Sequence, residues 1–235
     1  MKLAIMQPYF LPYIGYYQLI SAVDTFVIYD NIKYSKKSWV NRNRLLVNSE
    51  ATTFSLPLQK DSDSLDVVER KLASDFNRSK LLNKFRGAYR KAPYFESTYS
   101  LLEEIVNYQE DNLFRYIYHS IKKTCAYLGI NTEIQISSEI AIDHNLKAKN
   151  KVFALCQALG ADTYINAIGG AGLYSFGDFR TKGIRLCFLR PHLLDYHQFG
   201  GAFVPGLSIV DASMFNQVDR IQLDLMPAYD LLEEV

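Results

Sequence analysis

The start of the chain alternates between apolar runs and a helical spacing of apolar positions. Residues 3–6 are continuously apolar, which is typical of a parallel strand buried on both faces, and residues 25–29 repeat that pattern. Between them, residues 17–23 place apolar side chains at helical intervals. The pattern therefore predicts a strand, a helix and a second strand.

The same alternation resumes in the second half of the chain, after an interval of helical periodicity. That interval predicts helices over residues 78–90, 94–106 and 111–128. Further strands are predicted at 52–58, 132–137, 163–166 and 184–188, with helices at 147–159 and 176–182. We therefore predict an α/β fold, with a mostly parallel sheet flanked by helices and an inserted helical block.

The length and composition fit one folded domain. We predict a single α/β domain over residues 1–235, with the helical insertion at approximately residues 76–129. A hydrophobic share of 49% and a charged share of 22% are typical of a soluble globular protein. The formal net charge of +1 argues against nucleic-acid binding, which needs a basic excess. Neither a signal peptide nor a membrane span is expected, because Gln7 and Pro8 interrupt the N-terminal apolar run.

The cysteines and aromatic residues narrow the setting. Cys125, Cys156 and Cys187 lie in apolar surroundings without the paired spacing of a disulfide framework or a metal site. We therefore expect buried thiols, a reducing compartment and a cytoplasmic protein. The 17 Tyr and 14 Phe residues are a surplus of rings that line pockets and interfaces as well as cores. No residue pattern identifies a cofactor.

Residues 7–17 join the first predicted strand to the first predicted helix. Two prolines fix the backbone there, and each also pushes the residue before it out of the helical region. Gly15 allows close approach near the helix start, where free N–H groups favour an anionic or carbonyl-bearing ligand. We take Gln7, Tyr9 and Gly15 as candidate ligand-binding residues. The spacing alone supports equally well a stiff turn whose tyrosines only pack.

A basic segment follows the second predicted strand. If the chain after Trp39 is extended, Arg42 and Arg44 lie on one face, with Asn41 and Asn43 on the other. Two arginines on one face suit bidentate capture of a phosphate or a carboxylate. We take these five residues as candidates for substrate binding, with phosphate as the expected anion. The alternative is a basic hairpin that faces water.

A glycine cluster follows the predicted strand at residues 163–166. Asn166, Gly169, Gly170 and Tyr174 are candidate binding residues, because glycines after a strand allow an approach that side chains would forbid. The cluster lacks the lysine of a P-loop and the full spacing of a dinucleotide fingerprint. We expect it to face the first loop across the carboxyl edge of one sheet, so that the two loops form the main pocket.

The stretch from residue 190 to residue 208 is polar, aromatic and rich in glycine. Phe203 and Ser208 are candidate substrate-binding residues within it. Ser208 also stands where a helix cap is expected, and Asp211 would lie in the first turn of that helix.

His197 is the candidate general base. It lies between aromatic and glycine-rich residues that leave room for a substrate, and a histidine titrates near neutral pH. The other histidines lack such surroundings; His144, for example, lies in a polar turn. Asp30, at the end of the second predicted strand, and Asp211 are the reserve catalytic candidates. The alternative for His197 is a structural role, which most isolated loop histidines have.

Several of these segments recur in the same order in a known family. They are residues 7–16, residues 38–44, residues 164–166 with Gly169 and Gly170, Leu173 with Tyr174, and residues 203–211. In them the chain resembles the WbqC-like protein family over nearly its whole length. That family's genes lie among those for bacterial O-antigen and other surface polysaccharides. The resemblance therefore implies a cytoplasmic step on an activated sugar or its acyl substituent, but no catalytic mechanism.

Three functions are compatible with these observations. The first is a transferase that modifies a nucleotide-linked amino sugar by N-acylation or aminoacylation, with an acyl or aminoacyl donor as second partner; glycosyl transfer is a variant of it. The second is a nucleotidylyltransferase-like enzyme, although the paired histidines that those enzymes carry in the first loop are absent. The third is a non-catalytic partner of a polysaccharide-assembly complex, which would use the aromatic surplus as an interface.

Overall fold

A six-stranded sheet and a separate two-stranded hairpin make up the β-structure of the computed structural model, which describes residues 1–233. The strands are β1 (Lys2–Met6), β2 (Thr25–Ile28), β3 (Arg42–Val47), β4 (Glu50–Ser55), β5 (Glu133–Ile136), β6 (Thr163–Ala167), β7 (Arg185–Pro191) and β8 (Tyr229–Leu232). The α-helices are α1 (Ile14–Ser21), α2 (Arg78–Tyr89), α3 (Phe95–Val106), α4 (Leu113–Tyr127), α5 (Ala148–Ala158), α6 (Phe176–Arg180), α7 (Ile209–Phe215) and α8 (Val218–Arg220). A π-helix, Ile221–Leu225, follows α8, and 3-10 helices cover Val67–Glu69, Ser137–Glu139 and Ile168–Leu173.

Strand β1 lies inside the six-stranded sheet, whose order is β5-β2-β1-β6-β7-β8. It pairs in parallel with β2, where Leu3 lies opposite Thr25, and with β6. Ala4 belongs to the hydrophobic core on one face of the sheet, while Leu3 and Ile5 belong to the core on the other. Burial on both faces explains the continuous apolar run of this strand. The predicted α/β fold with a mostly parallel sheet is confirmed.

Two strands depart from the sequence-based expectation. β8 is an antiparallel edge strand beside β7, and the sequence pattern did not predict it. The strand expected at residues 52–58 is instead β4, which pairs with β3 outside the main sheet. Asn48 and Ser49 join β3 to β4 with φ angles of 51° and 63°, as a tight two-residue hairpin turn requires.

Helices α2, α3 and α4 form where the helical periodicity predicted them. Asn77 caps α2 by accepting from the Lys80 N–H, and Asn112 caps α4 by accepting from the Arg115 N–H. Tyr89 and other aromatic residues of the block pack in the same core as Ala4, so these helices cover one face of the sheet. Among residues 1–233 the helices are either too short or too polar to cross a membrane.

Candidate functional site

The loops that follow β1, β2, β5 and β6 surround one cavity of about 970 Å³ at the carboxyl edge of the sheet. We call it the main cavity. Open α/β sheets bind ligands at this edge, where the strands deliver their loops and the following helix N-termini. The loops at residues 7–15 and 167–174 both line the cavity, which confirms the expected geometry. Of the candidate binding residues, those that line it are Gln7, Tyr9, Gly15, Trp39, Asn166, Gly169, Gly170 and Tyr174.

Distant parts of the chain hold the first loop in place. Leu11 has a φ of 46°, in the left-handed region that a leucine rarely adopts. Its carbonyl oxygen accepts hydrogen bonds from Asn43 Nδ2 and from Ser208 Oγ, both at 2.7 Å. The Phe10 N–H donates to the Val40 carbonyl at 2.9 Å. Asn43 and Ser208, which were candidates for substrate binding, therefore position the loop that lines the cavity.

Close intramolecular packing explains two of the glycines. A Cβ at Gly15 would lie 2.4 Å from the Tyr13 ring, and a Cβ at Gly170 would lie 2.4 Å from Asn166 Nδ2. Each glycine thus admits a neighbouring side chain. Gly169 has open space around it and leaves room for a ligand.

Three lysines, Lys33, Lys147 and Lys151, line the main cavity. Lys151 is only 3% exposed. Its Nζ lies 4.8 Å from the centroid of the Tyr29 ring and 3.5 Å from the Asn31 carbonyl oxygen. No carboxylate among residues 1–233 lies within 4.0 Å of this ammonium group. Lys151 is therefore a buried cation that forms no close ion pair within the described residues.

Helix α5 begins at this cavity. Lys147 is its N-cap residue, offers no side-chain hydrogen bond to the first turn, and is followed by no acidic residue in that turn. The free N–H groups and the helix dipole place partial positive charge at the wall that already carries Lys147 and Lys151. This part of the cavity attracts anions.

Asp66 is the carboxylate on the wall of the main cavity. Burial raises its pKa, the charge of Glu69 raises it further, and Lys151 and Lys147 oppose the shift. Burial in turn lowers the pKa of Lys151, and the attraction of Asp66 opposes that shift. A carboxylate whose pKa is raised in a cavity is a suitable proton acceptor.

His144 also lines the cavity, but both of its ring nitrogens are engaged. Ser137 Oγ donates to Asn31 Oδ1 at 2.7 Å, which leaves the Asn31 amide N–H to donate to His144 Nδ1 at 3.0 Å. The Nε2–H then donates to the Ile140 carbonyl at 3.0 Å. These two hydrogen bonds fix the orientation of the ring and hold the loop that carries it.

A second cavity of about 210 Å³ shares a wall with the main cavity. We call it the annex, and its lining residues are Tyr9, Pro12, Tyr13, Trp39, Asn43, Arg44 and Gly206. Tyr9, Tyr13 and Trp39 line both cavities. Burial raises the pKa of both tyrosines, so their hydroxyls stay protonated at neutral pH.

The two candidate arginines have different surroundings. Both lie over the ring of Trp39, at 5.2 Å for Arg42 and 5.4 Å for Arg44, which confirms that they share one face of β3. Arg44 Nη2 donates to the Gly206 carbonyl at 2.8 Å and Arg44 lines the annex. Arg42 donates to the Lys37 carbonyl and lines neither the main cavity nor the annex.

The candidate catalytic residues lie outside the main cavity. His197 is exposed and is not part of its lining. Asp30 is fully buried and accepts hydrogen bonds from the Ser138 N–H at 3.0 Å and the Ser138 hydroxyl at 2.6 Å.

Within residues 1–233, no group of three or more His, Cys, Asp or Glu side chains could hold a metal ion.

Asp211 is fully buried within a closed hydrogen-bond network. Its carboxylate accepts from the Tyr89 hydroxyl at 2.9 Å, and from the Tyr196 hydroxyl and Gln198 Nε2 at 2.7 Å each. The Tyr89 oxygen also accepts from the Leu46 N–H at 2.9 Å. Burial raises the pKa of Asp211 against the effect of these hydrogen bonds. The network ties α2, β3, the loop before α7 and α7 together.

Asn41 and Phe203 are likewise engaged in packing. Asn41 accepts from the Tyr34 hydroxyl at 3.0 Å and donates to the Leu56 carbonyl at 2.8 Å. The ring of Phe203 packs edge-on against Tyr196, with centroids 4.9 Å apart. Neither residue lines the main cavity.

Sequence reasoning missed the ionisable lysine, aspartate and histidine side chains of the main cavity. These are Lys33, Asp66, His144, Lys147 and Lys151. A signal for the last three existed, because they follow β5, which is parallel to β2 and therefore ends at the same edge. Asp66 had no comparable signal, since it precedes the short 3-10 helix Val67–Glu69 and does not follow a predicted strand.

Comparisons with known proteins agree with the resemblance seen in the motifs. The profile of the WbqC-like protein family matches residues 7–223. The uncharacterized protein Rv1507c of Mycobacterium tuberculosis strain H37Rv is 28% identical over 218 residues, which cover 92% of this chain and 93% of that protein. No solved structure matches the chain.

Proposed function

The chain belongs to the WbqC-like protein family, and we propose that it is a transferase that modifies a nucleotide-linked amino sugar by N-acylation or aminoacylation. The step would belong to bacterial O-antigen or surface polysaccharide biosynthesis. A cytoplasmic location is part of the proposal, and the three free, buried cysteines are compatible with a reducing compartment.

The excess of positive charge in the main cavity carries the proposal, because three lysines line it against one carboxylate, Asp66. Within residues 1–233 no carboxylate lies within 4.0 Å of the Lys151 ammonium group, and Lys147 stands at a helix N-terminus, where a cation opposes the dipole. Such an arrangement costs folding free energy that an anionic ligand offsets. A diphosphate supplies that charge, and a nucleotide sugar supplies it together with a base and a sugar for the aromatic walls.

The size and lining of the main cavity suit such a ligand. Its volume of about 970 Å³ lies at the upper end of the range for small-molecule sites. Tyr9, Tyr29, Trp39 and Tyr174 provide rings on which a base or a sugar can stack.

Asp66 is the residue we propose as proton acceptor. In the reaction the sugar amine attacks the acyl carbonyl carbon, the bond to the donor's leaving group breaks, and the amine proton must leave. Asp66 lines the same cavity as the lysines that would hold the diphosphate, and its raised pKa improves its basicity. His197 lies outside that cavity, so we give it no role in the proposed proton transfer.

Calorimetric titration with UDP, dTDP, GDP and their amino sugars tests the proposal. We expect saturable binding of at least one nucleotide sugar, and Lys151→Met should weaken it roughly 10- to 100-fold, the value of one charge-assisted hydrogen bond. Lys149→Met is the matched control, because Lys149 lies on the same helix but pairs with Asp178 at 2.8 Å. Absence of binding to all of these ligands, or equal losses in both variants, would overturn the proposed function.

A further inference from the structure

The annex and the main cavity differ in the ligands that they can hold. At a share of about 30 Å³ per water molecule, a volume of 210 Å³ holds roughly seven water molecules, or one small organic molecule in their place. A nucleotide sugar is far larger than that. Because Tyr9, Tyr13 and Trp39 form a shared wall, a ligand in the annex would lie beside the contents of the main cavity.

Arg44 brings an unpaired positive charge to the annex. Its guanidinium donates one hydrogen bond to protein, from Nη2 to Gly206, and its buried Nε has no partner among residues 1–233. Within the same residues no carboxylate lies within 4.0 Å of it. Arginine offers a planar fork of donors, so the free donors of Arg44 match a planar anion.

The other lining groups limit the charge and shape of that anion. The Asn43 amide already has protein partners for both of its polar atoms. Its Nδ2 donates to the Leu11 carbonyl, and its Oδ1 accepts from the Arg44 backbone N–H at 2.9 Å. Aromatic rings and Pro12 form most of the remaining wall. One guanidinium within an aromatic wall suits a single negative charge on a small, partly apolar body. A phosphate dianion would keep charge without a partner there.

We propose that the annex is a second binding site, which takes a small carboxylate on Arg44 next to the main cavity. The site does not depend on the reaction proposed above, because its argument uses neither a nucleotide nor a transfer step. From the sequence we expected a phosphate on Arg42 and Arg44. The structure leads us to propose instead a carboxylate on Arg44 alone.

Trp39 makes the site directly observable. It is the single tryptophan of the chain, lines the annex and lies under Arg44, so ligand binding should change its fluorescence. We would titrate the unmodified protein with acetate, propionate and lactate at constant ionic strength, with neutral acetamide and inorganic phosphate as comparison probes. Saturation-transfer NMR on the propionate methyl group measures the same binding without relying on Trp39.

We expect saturable binding of the carboxylates, none of acetamide, and at least a tenfold loss in Arg44→Gln. Arg42→Gln is the matched control, because Arg42 stacks on the same ring but does not line the annex. Arg44→Lys keeps the charge without the planar fork, and a partial loss in it supports the assignment if Arg44→Gln fails to fold.

Three results would overturn the inference. They are undiminished propionate binding in the folded Arg44 variants, saturable binding of phosphate but not of carboxylates, and complete displacement of propionate by UDP, which would make the annex part of the nucleotide site. A protein that binds propionate through Arg44 but no nucleotide sugar would keep this inference and lose the proposed function.

Discussion

The network around Asp211 and the wall of the main cavity each bury an ionisable side chain, but the two side chains differ in their hydrogen-bond partners. The Asp211 carboxylate accepts three hydrogen bonds, from Tyr89, Tyr196 and Gln198. Lys151 is almost as deeply buried, yet within residues 1–233 its ammonium group meets a ring face and one carbonyl oxygen at 3.5 Å, and no carboxylate.

The difference separates a structural role from a binding role. Buried polar groups in folded proteins are paired as a rule, and a paired network joins the elements that contribute to it. An unpaired cation on a cavity wall weakens the fold and strengthens attraction to an anion. We therefore expect substitutions at Asp211 to change stability, and those at Lys151 to change ligand affinity.

The largest expected effect is on stability, in Asp211→Ala. The substitution leaves the hydroxyls of Tyr89 and Tyr196 without an acceptor and leaves Gln198 Nε2 with only its longer bond to the Val204 carbonyl, at 3.3 Å. We expect the free energy of unfolding to fall by about 3 kcal/mol. Urea denaturation measures it, and Asp195→Ala, an exposed acid in the same loop, is the control with an expected change below about 0.5 kcal/mol. A loss of nucleotide affinity in the folded protein would instead make Asp211 a binding residue.

The pH dependence of stability should report the same carboxyl group. Its pKa is raised in the folded state, so the folded protein holds this proton after the unfolded chain has released it. Its stabilising contribution is complete below the unfolded pKa and is lost as pH rises through the folded pKa. Relative to Asp211→Asn, the wild-type protein should lose about 1.4 kcal/mol per pH unit in that window. Parallel stability curves from pH 4 to 8 would contradict the buried assignment.

Ser208→Ala should cost about 1–2 kcal/mol, because the hydroxyl caps α7 and also donates to the strained Leu11 carbonyl. Ser175→Ala removes the cap of α6, where the hydroxyl accepts from the Asp178 N–H. The difference between the two variants in chemical denaturation estimates the loop contact. Equal costs would show that the contact to Leu11 contributes nothing.

Lys151→Met should raise the free energy of unfolding by about 1 kcal/mol in the absence of ligand, because it removes a buried cation that forms no close ion pair among residues 1–233. Thermal denaturation in nucleotide-free buffer measures the gain. Lys149→Met, which loses a surface ion pair, should be neutral or slightly destabilised. If Lys151→Met lowered the free energy of unfolding, Lys151 would have a structural role like that of Asp211.

The smallest effect is expected in His197→Gln. The side chain is exposed and lies outside the main cavity, so stability should change by less than about 0.5 kcal/mol and turnover by less than about threefold. Turnover assays across pH 6 to 9 would show a missed base as a loss of roughly 100-fold or more. Such a loss would return the role of proton acceptor from Asp66 to His197.

The sequence predicted those helices and strands that are specified by residues close together in the chain. The helices from Arg78 to Tyr127 have strong periodicity and asparagine caps, and both were readable in the sequence. β8 was missed because Tyr229–Leu232 is short, has no clear alternation and pairs only at the sheet edge. Its partner, β7, begins 44 positions earlier, at Arg185.

The candidate site was predictable only where loops follow recognisable strands. Because ligands bind at the carboxyl ends of parallel strands, the sequence pointed to the loops after β1 and β6. The same argument applies to the loop after β5, where Lys147 and Lys151 lie, but the sequence analysis did not include it. The annex depends on the approach of Arg44 to Gly206 across 162 positions, which no local pattern encodes. The position of His197 outside the main cavity was likewise not readable from its neighbours in the sequence.

The hydrogen bond from Ser208 to the Leu11 carbonyl has a consequence for folding during translation. The loop that carries Gln7 and Tyr9 is among the first parts to leave the ribosome, but Ser208, which fixes the Leu11 carbonyl, follows 197 positions later. At about 5–20 residues per second, translation leaves the loop without this contact for roughly 10–40 s. A nascent chain therefore has the aromatic residues of its cavity long before it can hold them in place. Ligand binding should begin only when synthesis is nearly complete.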